Sequence, residues 1–275
     1  MPDRSISIIR KILSAVARPV FPIGQMLWGS FTYPSKGGAR FQGAFESREA
    51  AISSVPSDML AGYNHDPVVQ VSFDKMCQIA PWDYPVMFWL ERLLPGTGCV
   101  LDAGGHMGTK YRAFRRHLRL DQRRISWIIY DLPAIVGAGR RRAAEDGLSG
   151  LTFVEHLTEV PSADIKLASG LLQYLDVPYS ALLKQLPSLP RHLIINKVAL
   201  REGETIYTLE NFGVALVPYQ IRNRQQFLDE IREVGYRIED EWSIPALSHK
   251  IPSHTQLGAS QSAGFYLTLD DSVQK

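Results

Sequence analysis

Cys99-Val100-Leu101-Asp102-Ala103-Gly104-Gly105-His106-Met107-Gly108 is the stretch whose reading decides the fold. A short apolar run ends on a carboxylate and enters a loop with glycines at 104, 105 and 108. Glycine lets a backbone turn sharply and come close to a ligand, where a Cβ would block the approach. A basic helical stretch, Lys110 to Leu120, follows, so the loop delivers the free N–H groups of a helix start to whatever it binds. The spacing is not the dinucleotide pattern G-x-G-x-x-G, and a glycine loop alone says only that a ligand of nucleotide type is bound.

Strands and helices alternate downstream. Ser126 to Asp131 is an apolar strand ending in an acid, Ala134 to Asp146 reads as helix, and Leu151 to Val154 and Ile165 to Ser169 are further strands. Tyr179 to Leu186 is a helix, His192 to Val198 a fifth strand, and Arg224 to Val234 a helix closed by Gly235. Tyr236 to Trp242 and Gly264 to Leu269 complete the set. Repeated β–α units predict an α/β fold, Rossmann-like, with a mostly parallel seven-stranded sheet covered by helices on both faces.

Upstream, three segments are expected. Residues 1–40 carry an amphipathic helix and an irregular connector. Ile9, Ile12, Leu13 and Val16 share a helical face, with Arg4, Arg10, Lys11 and Ser14 largely off it. Such a helix packs on its own domain or on a second copy in a homodimer; its basic face also allows residues 4–17 a peripheral contact with the inner face of a membrane. The glycine- and aromatic-rich run from Gly29 to about Gly43 reads as irregular. Residues 41–97 read as a helical cap on the substrate side, with Ser47 capping one short helix and Trp82 to Leu94 forming another stopped by Pro95-Gly96. Trp82, Tyr84, Phe88 and Trp89 read as core. Residues 98–275 form the Rossmann-like domain.

A formal charge of +2 on 275 residues gives no reason to expect a nucleic-acid partner. Cys77 and Cys99 are the only cysteines and no Cys/His cluster is visible, so neither a metal nor a disulfide framework is expected and the reducing cytoplasm is the indicated compartment. No apolar run reaches the ~20 residues that span a bilayer.

Two acids narrow the ligand. Asp102, before the glycines, suits an ammonium group better than a pyrophosphate. Asp131, at the end of the next strand, stands where an acid hydrogen-bonds ribose hydroxyls. S-adenosylmethionine needs both contacts and carries no phosphate; NAD gains nothing from Asp102.

Together, Asp102-Ala103-Gly104-Gly105-His106-Met107-Gly108, Tyr130-Asp131-Leu132-Pro133-Ala134-Ile135-Val136 and Ala168-Ser169-Gly170-Leu171-Leu172-Gln173-Tyr174-Leu175 resemble the successive motifs of class I methyltransferases. With Phe41, Gly43, Phe45, Ser47, Glu49 and Ala50 upstream, the chain resembles a family of bacterial methyltransferases often associated with surface-polysaccharide gene clusters. The resemblance spans about residues 41 to 269. It implies that Asp102 faces the methionine ammonium, Gly104, Gly105 and Gly108 admit the cofactor, Asp131 holds the ribose and Leu132 packs on the adenine. It also implies that Ser169, Gly170 and Gln173 lie at the carboxyl edge, with Gln173 and Tyr174 bordering the acceptor pocket.

Methyl transfer to a hydroxyl generally needs a base. His106 in the loop and Tyr219, in the Val217-Pro218-Tyr219 element, are the catalytic candidates; Arg222 and Asn223 could contact an acceptor. His156, His249 and His254 read as solvated. The implied activity is transfer of a methyl group to an O or N atom of a small molecule or glycan intermediate. The alternatives are a noncatalytic Rossmann-like scaffold and an NAD(P)-dependent oxidoreductase.

Overall fold

In the computed structural model, residues 39–65 and 72–270 are described. The amphipathic helix at 4–17 and almost all of the 1–40 segment fall outside them. The strands are β1 (Phe41–Phe45), β2 (Leu60–Ala61), β3 (Cys99–Ala103), β4 (Ser126–Tyr130), β5 (Leu151–Val154), β6 (Ile165–Ser169), β7 (His192–Arg201), β8 (Ile206–Asn211), β9 (Ala215–Asn223), β10 (Tyr236–Ser243) and β11 (Gln261–Leu269). The helices are α1 (Arg48–Ser53), α2 (Phe73–Met76), α3 (Tyr84–Leu93), α4 (Thr109–Phe114), α5 (Pro133–Glu145), α6 (Tyr179–Leu183) and α7 (Arg224–Glu233).

Seven strands form the expected sheet in the order β5-β4-β3-β6-β7-β11-β10. The first five are mutually parallel, and β11 runs antiparallel to both of its neighbours. A parallel sheet needs cover on both faces, which is why its strands read as continuous apolar runs. Val100, Ile129, Ile165, Leu167 and Ile194 pack on one side with Val86, Leu90 and Phe114. Leu101, Ile128, Ala168, Leu193 and Ile195 pack on the other with Leu182, Leu183, Phe227 and Ile231. Strand order reverses at β3, which lies between β4 and β6, and a ligand crevice belongs outside the carboxyl ends of the strands at such a point.

Four more strands extend this sheet among the described residues. Hairpin β8–β9 is antiparallel, β1 pairs with β8, β2 with β9, and the ends of β7 and β9 pair in parallel. The 41–97 segment therefore opens with a strand rather than being helical throughout. Phe41–Phe45 hid in a glycine- and aromatic-rich run. Val217-Pro218-Tyr219, compatible in sequence with an element of the resembled family or with an ordinary turn, lies in a strand: Pro218, although it lacks a donor, sits within β9 opposite Leu209.

Two other readings change. Trp82 is buried and Trp89 donates through Nε1 to Asp240 Oδ2 at 2.8 Å, but Tyr84 and Phe88 are 64% and 53% exposed, not core. His249 is packed rather than solvated: its ring stacks on Phe41 at 3.8 Å and its Nδ1 lies 3.0 Å from Ser260 Oγ. His156 is exposed, as read. No helix among the described residues is long and apolar enough to cross a membrane.

Candidate functional site

The loop between β3 and α4 is built by its own packing. A Cβ on Gly104 would stand 2.9 Å from Leu171 Cδ1, one on Gly105 2.7 Å from Asp102 Cγ, and one on Gly108 2.7 Å from Leu151 Cδ1. Each glycine thus makes room first for a neighbouring side chain of the protein, and this sets the path of the loop. Gly104 and Gly108 also have positive φ, as does His106 (φ 56), which takes a left-handed backbone that costs an ordinary L-residue about 1–2 kcal/mol. That strain is held by specific bonds. The His106 N–H donates to Asp131 Oδ2 at 2.8 Å, and the Gly104 N–H donates to the Tyr130 carbonyl at 2.8 Å. The loop is therefore tied to the end of β4.

Asp131 accepts a second backbone bond, from the Leu132 N–H to Oδ1 at 2.8 Å. Burial nevertheless pushes its carboxyl up to about 6, against the pull of the two N–H donors. Leu132 beside it is 39% exposed. The His106 ring is buried beside Phe73, with centroids 6.3 Å apart.

Asp102 is fully enclosed at the root of the loop. Oδ2 accepts from Trp127 Nε1 at 3.3 Å, while Oδ1 is buried with no hydrogen-bond partner. Burial drives its carboxyl up to about 7, offset in part by the indole bond and by the nearby Lys110 and Lys197 ammonium groups. A buried carboxylate oxygen left unpaired costs about 1–3 kcal/mol or more, so its persistence is informative. A second buried acid shares the Lys110 ammonium with it. Asp83, at the entry to α3, accepts from Lys110 Nζ at 2.7 Å and from the Ala80 N–H at 3.0 Å, both through Oδ2; its Oδ1 is also orphaned.

The end of β6 supplies the third wall. Gly170 has φ 87 and donates its N–H to the Asn196 carbonyl at 2.9 Å. Ser169 Oγ accepts from Asn196 Nδ2 at 3.4 Å, and Gln173 is buried with Oε1 unpaired. Tyr174 points elsewhere, donating its hydroxyl to Glu210 Oε2 at 2.6 Å; Glu210 Oε1 takes two bonds from Arg40.

Tyr219 is not beside the glycine loop. Its buried ring on β9 meets Tyr174 edge-on at 5.6 Å and His249 at 5.3 Å. Arg222 donates from a terminal guanidinium N–H to the Leu172 carbonyl at 2.9 Å, and Asn223 caps α7 through the Gln226 N–H. The structure thus gathers Asp102, the glycines, His106, Asp131, Ser169, Gly170 and Gln173 around one strand edge, and leaves Tyr219 in an aromatic cluster reached through Tyr174.

Sequence reasoning missed Asp83, Lys110, Trp127, Asn196 and Lys197. Lys197 was the most visible of these, a lone cation inside the apolar fifth strand. Among the described residues no group of His, Cys, Asp and Glu is arranged to hold a metal ion.

No family model matches the chain, and no curated protein matches it. Solved structures do. The chain is similar to OxaC in complex with sinefungin and meleagrin (16% identity, 74% of this chain and 51% of that one, TM-score 0.51). It is likewise similar to OxaC in complex with SAH and oxaline (15%, 74% and 50%, TM-score 0.50), so it spans about half the length of that protein. A third is the Burkholderia thailandensis 1,6-didemethyltoxoflavin-N1-methyltransferase (18%, 70% and 79%, TM-score 0.46). With the strand order above, the fold is the Rossmann-like class I methyltransferase fold.

Proposed function

We propose that this chain is an S-adenosylmethionine-dependent methyltransferase acting on an oxygen or nitrogen of a small-molecule or saccharide acceptor. The observation that carries the reading is the orphaned, buried Asp102 Oδ1 beside a glycine loop tied to Asp131. A buried carboxylate in want of a partner fits an ammonium group and would repel a pyrophosphate in that place, which disfavours NAD. The fold is compatible, since OxaC has been solved with SAH. The saccharide class rests on the resemblance to methyltransferases of surface-polysaccharide clusters.

In this reading Asp102 holds the amino-acid ammonium, and Gly104, Gly105 and Gly108 keep the loop backbone low enough for close approach. Asp131 keeps lone pairs for ribose hydroxyls after its two backbone bonds, and the exposed Leu132 side chain offers an apolar face to the adenine. Ser169, Gly170 and Gln173 border the reacting end at the carboxyl edge. When bound, adenosylmethionine supplies a methyl group already activated by its sulfonium. What remains for the protein is alignment, exclusion of water and removal of the acceptor proton. His106 and Tyr219 are the candidates for that last role, His106 on the loop and Tyr219 on the side of the β8–β9 hairpin.

The test is transfer of labelled methyl from adenosylmethionine into fractionated small metabolites and saccharides, with wild type, His106→Asn and Tyr219→Phe. Asparagine tolerates the left-handed backbone at 106 and keeps the N–H to Asp131. Loss of a general base lowers kcat about 10²–10⁴-fold with adenosylhomocysteine affinity intact. Binding without transfer in any fraction would favour the noncatalytic scaffold.

A further inference from the structure

Lys197 stands out as a strained residue with no part in the core. Its φ of 63 puts a lysine in left-handed backbone within β7. The cause is a bulge. Val198 pairs with Ala263 and Ile195 with Phe265, so Asn196 and Lys197 together face Gly264. Ile195 and Val198 consequently enter the same core although they are three residues apart.

The bulge is fixed from all sides. The Asn196 carbonyl accepts from Gly170, its Oδ1 accepts from Trp242 Nε1 at 3.1 Å, and its Nδ2 donates to Ser169. Position 264 must be glycine here, since a Cβ would stand 2.2 Å from the Trp242 ring. Such over-determined strain clusters at functional sites.

The bulge redirects the lysine. A Cβ on Gly170 would be 3.0 Å from Lys197 Nζ and 3.7 Å from Gln173 Nε2, so both nitrogens reach the space over Gly170. The charges facing the ammonium are Asp102, Asp83 and Lys110, and Lys110 is already committed to Asp83. Asp102 and Lys197 are thus left as an acid and a base within electrostatic reach of each other, with no hydrogen bond between them. A ligand with an ammonium and a carboxylate on one carbon matches that pair.

We infer that Lys197 binds the carboxylate of the cofactor's α-amino-acid end while Asp102 takes its ammonium, making the β3–β6–β7 edge a receptor for a zwitterion. This rests on the reading of the site as an adenosylmethionine site. Lys197 is a binding and positioning residue in this account, and the strained bulge exists to aim it. Burial, with Lys110 nearby, holds its amine down at about 8, and a ligand carboxylate would raise it.

The experiment is calorimetry with adenosylhomocysteine and decarboxylated adenosylhomocysteine on wild type, Lys197→Met and Lys197→Arg. Wild type should prefer the intact ligand at least 30-fold. Lys197→Met should lose about that factor for the intact ligand and less than threefold for the decarboxylated one, and Lys197→Arg should recover part of the preference. Equal losses for both ligands in Lys197→Met, or no preference in wild type, would overturn the assignment of Lys197. Failure of wild type to bind either ligand would overturn the underlying reading of the site. Thermal unfolding of the unliganded variants shows that each is folded, and both substitutions keep a long side chain.

Discussion

Asp102 carries most of the chemistry at the scale of single residues. In the unliganded protein its carboxyl titrates at about 7 because burial opposes its charge. An ammonium ligand binds the ionised form, so binding below that value must release a proton. Affinity for adenosylhomocysteine is therefore expected to rise as pH increases from about 5.5 to 7.5, and to fall again above about 8, where Lys197 loses its proton. Calorimetry in buffers of different ionisation enthalpy counts the proton directly. Asp102→Asn should remove the rise between about pH 6 and 7.5 while keeping the alkaline fall, lower affinity about 10–100-fold, and leave the unliganded fold at least as stable, because a buried charge has been removed. A pH-independent affinity in wild type would contradict this role. His106 illustrates the same economy: its backbone N–H locks Asp131, whatever its ring does.

At the scale of elements, the loop and its three walls are a single packed unit. Gly105→Ala tests it, since the added methyl would meet the Asp102 carboxyl and lie 3.0 Å from the Asp102 carbonyl oxygen. The expected result is a loss of about 1–3 kcal/mol in unfolding free energy by denaturant titration, together with loss of adenosylhomocysteine binding. This is also the scale at which the sequence was most and least legible. Strands β3 to β7 announced themselves because two-sided burial demands unbroken apolar runs, and Asp131 was readable because it ended one. The β8–β9 hairpin and β1 were not. Pro218, the glycines around Phe41 and the polar Thr208, Glu210 and Gln220 break the expected alternation, and their pairing is nonlocal. Lys197 was in plain view, but the bulge that turns it toward Gly170 depends on Gly264 and Trp242, far along the chain.

For the molecule as a whole, buried charges shape the response to pH. Asp102 and Asp131 titrate at about 7 and 6 when folded, above the 3.8 of an ordinary aspartate, so the folded state holds extra protons and stability falls as pH rises from about 4 to 7. Lys166 has the opposite effect. Its ammonium lies in the apolar core of β6 over the Tyr179 ring, with no hydrogen-bond partner, and burial holds it down at about 7. The unfolded chain then binds the extra protons, and stability climbs as pH rises from about 7 to 10.5. These groups together place a minimum near neutrality in the contribution they make. Lys166→Met should stabilise the protein by about 1–3 kcal/mol at pH 7 and flatten the alkaline limb, read as Tm against pH. No change in either would contradict this account of Lys166. Lys166 lies on the opposite face of the sheet from Asp102 and Trp127.

In the proposed reading, the crevice at the ends of β3, β4 and β6 is an adenosylmethionine site. Isothermal titration of the protein with adenosylhomocysteine and with NAD is the decisive test, with Asp131→Ala as the control. Adenosylhomocysteine should bind in the micromolar range, with binding abolished by Asp131→Ala, and NAD should give no heat. Binding of NAD alone, or of neither ligand, would contradict it.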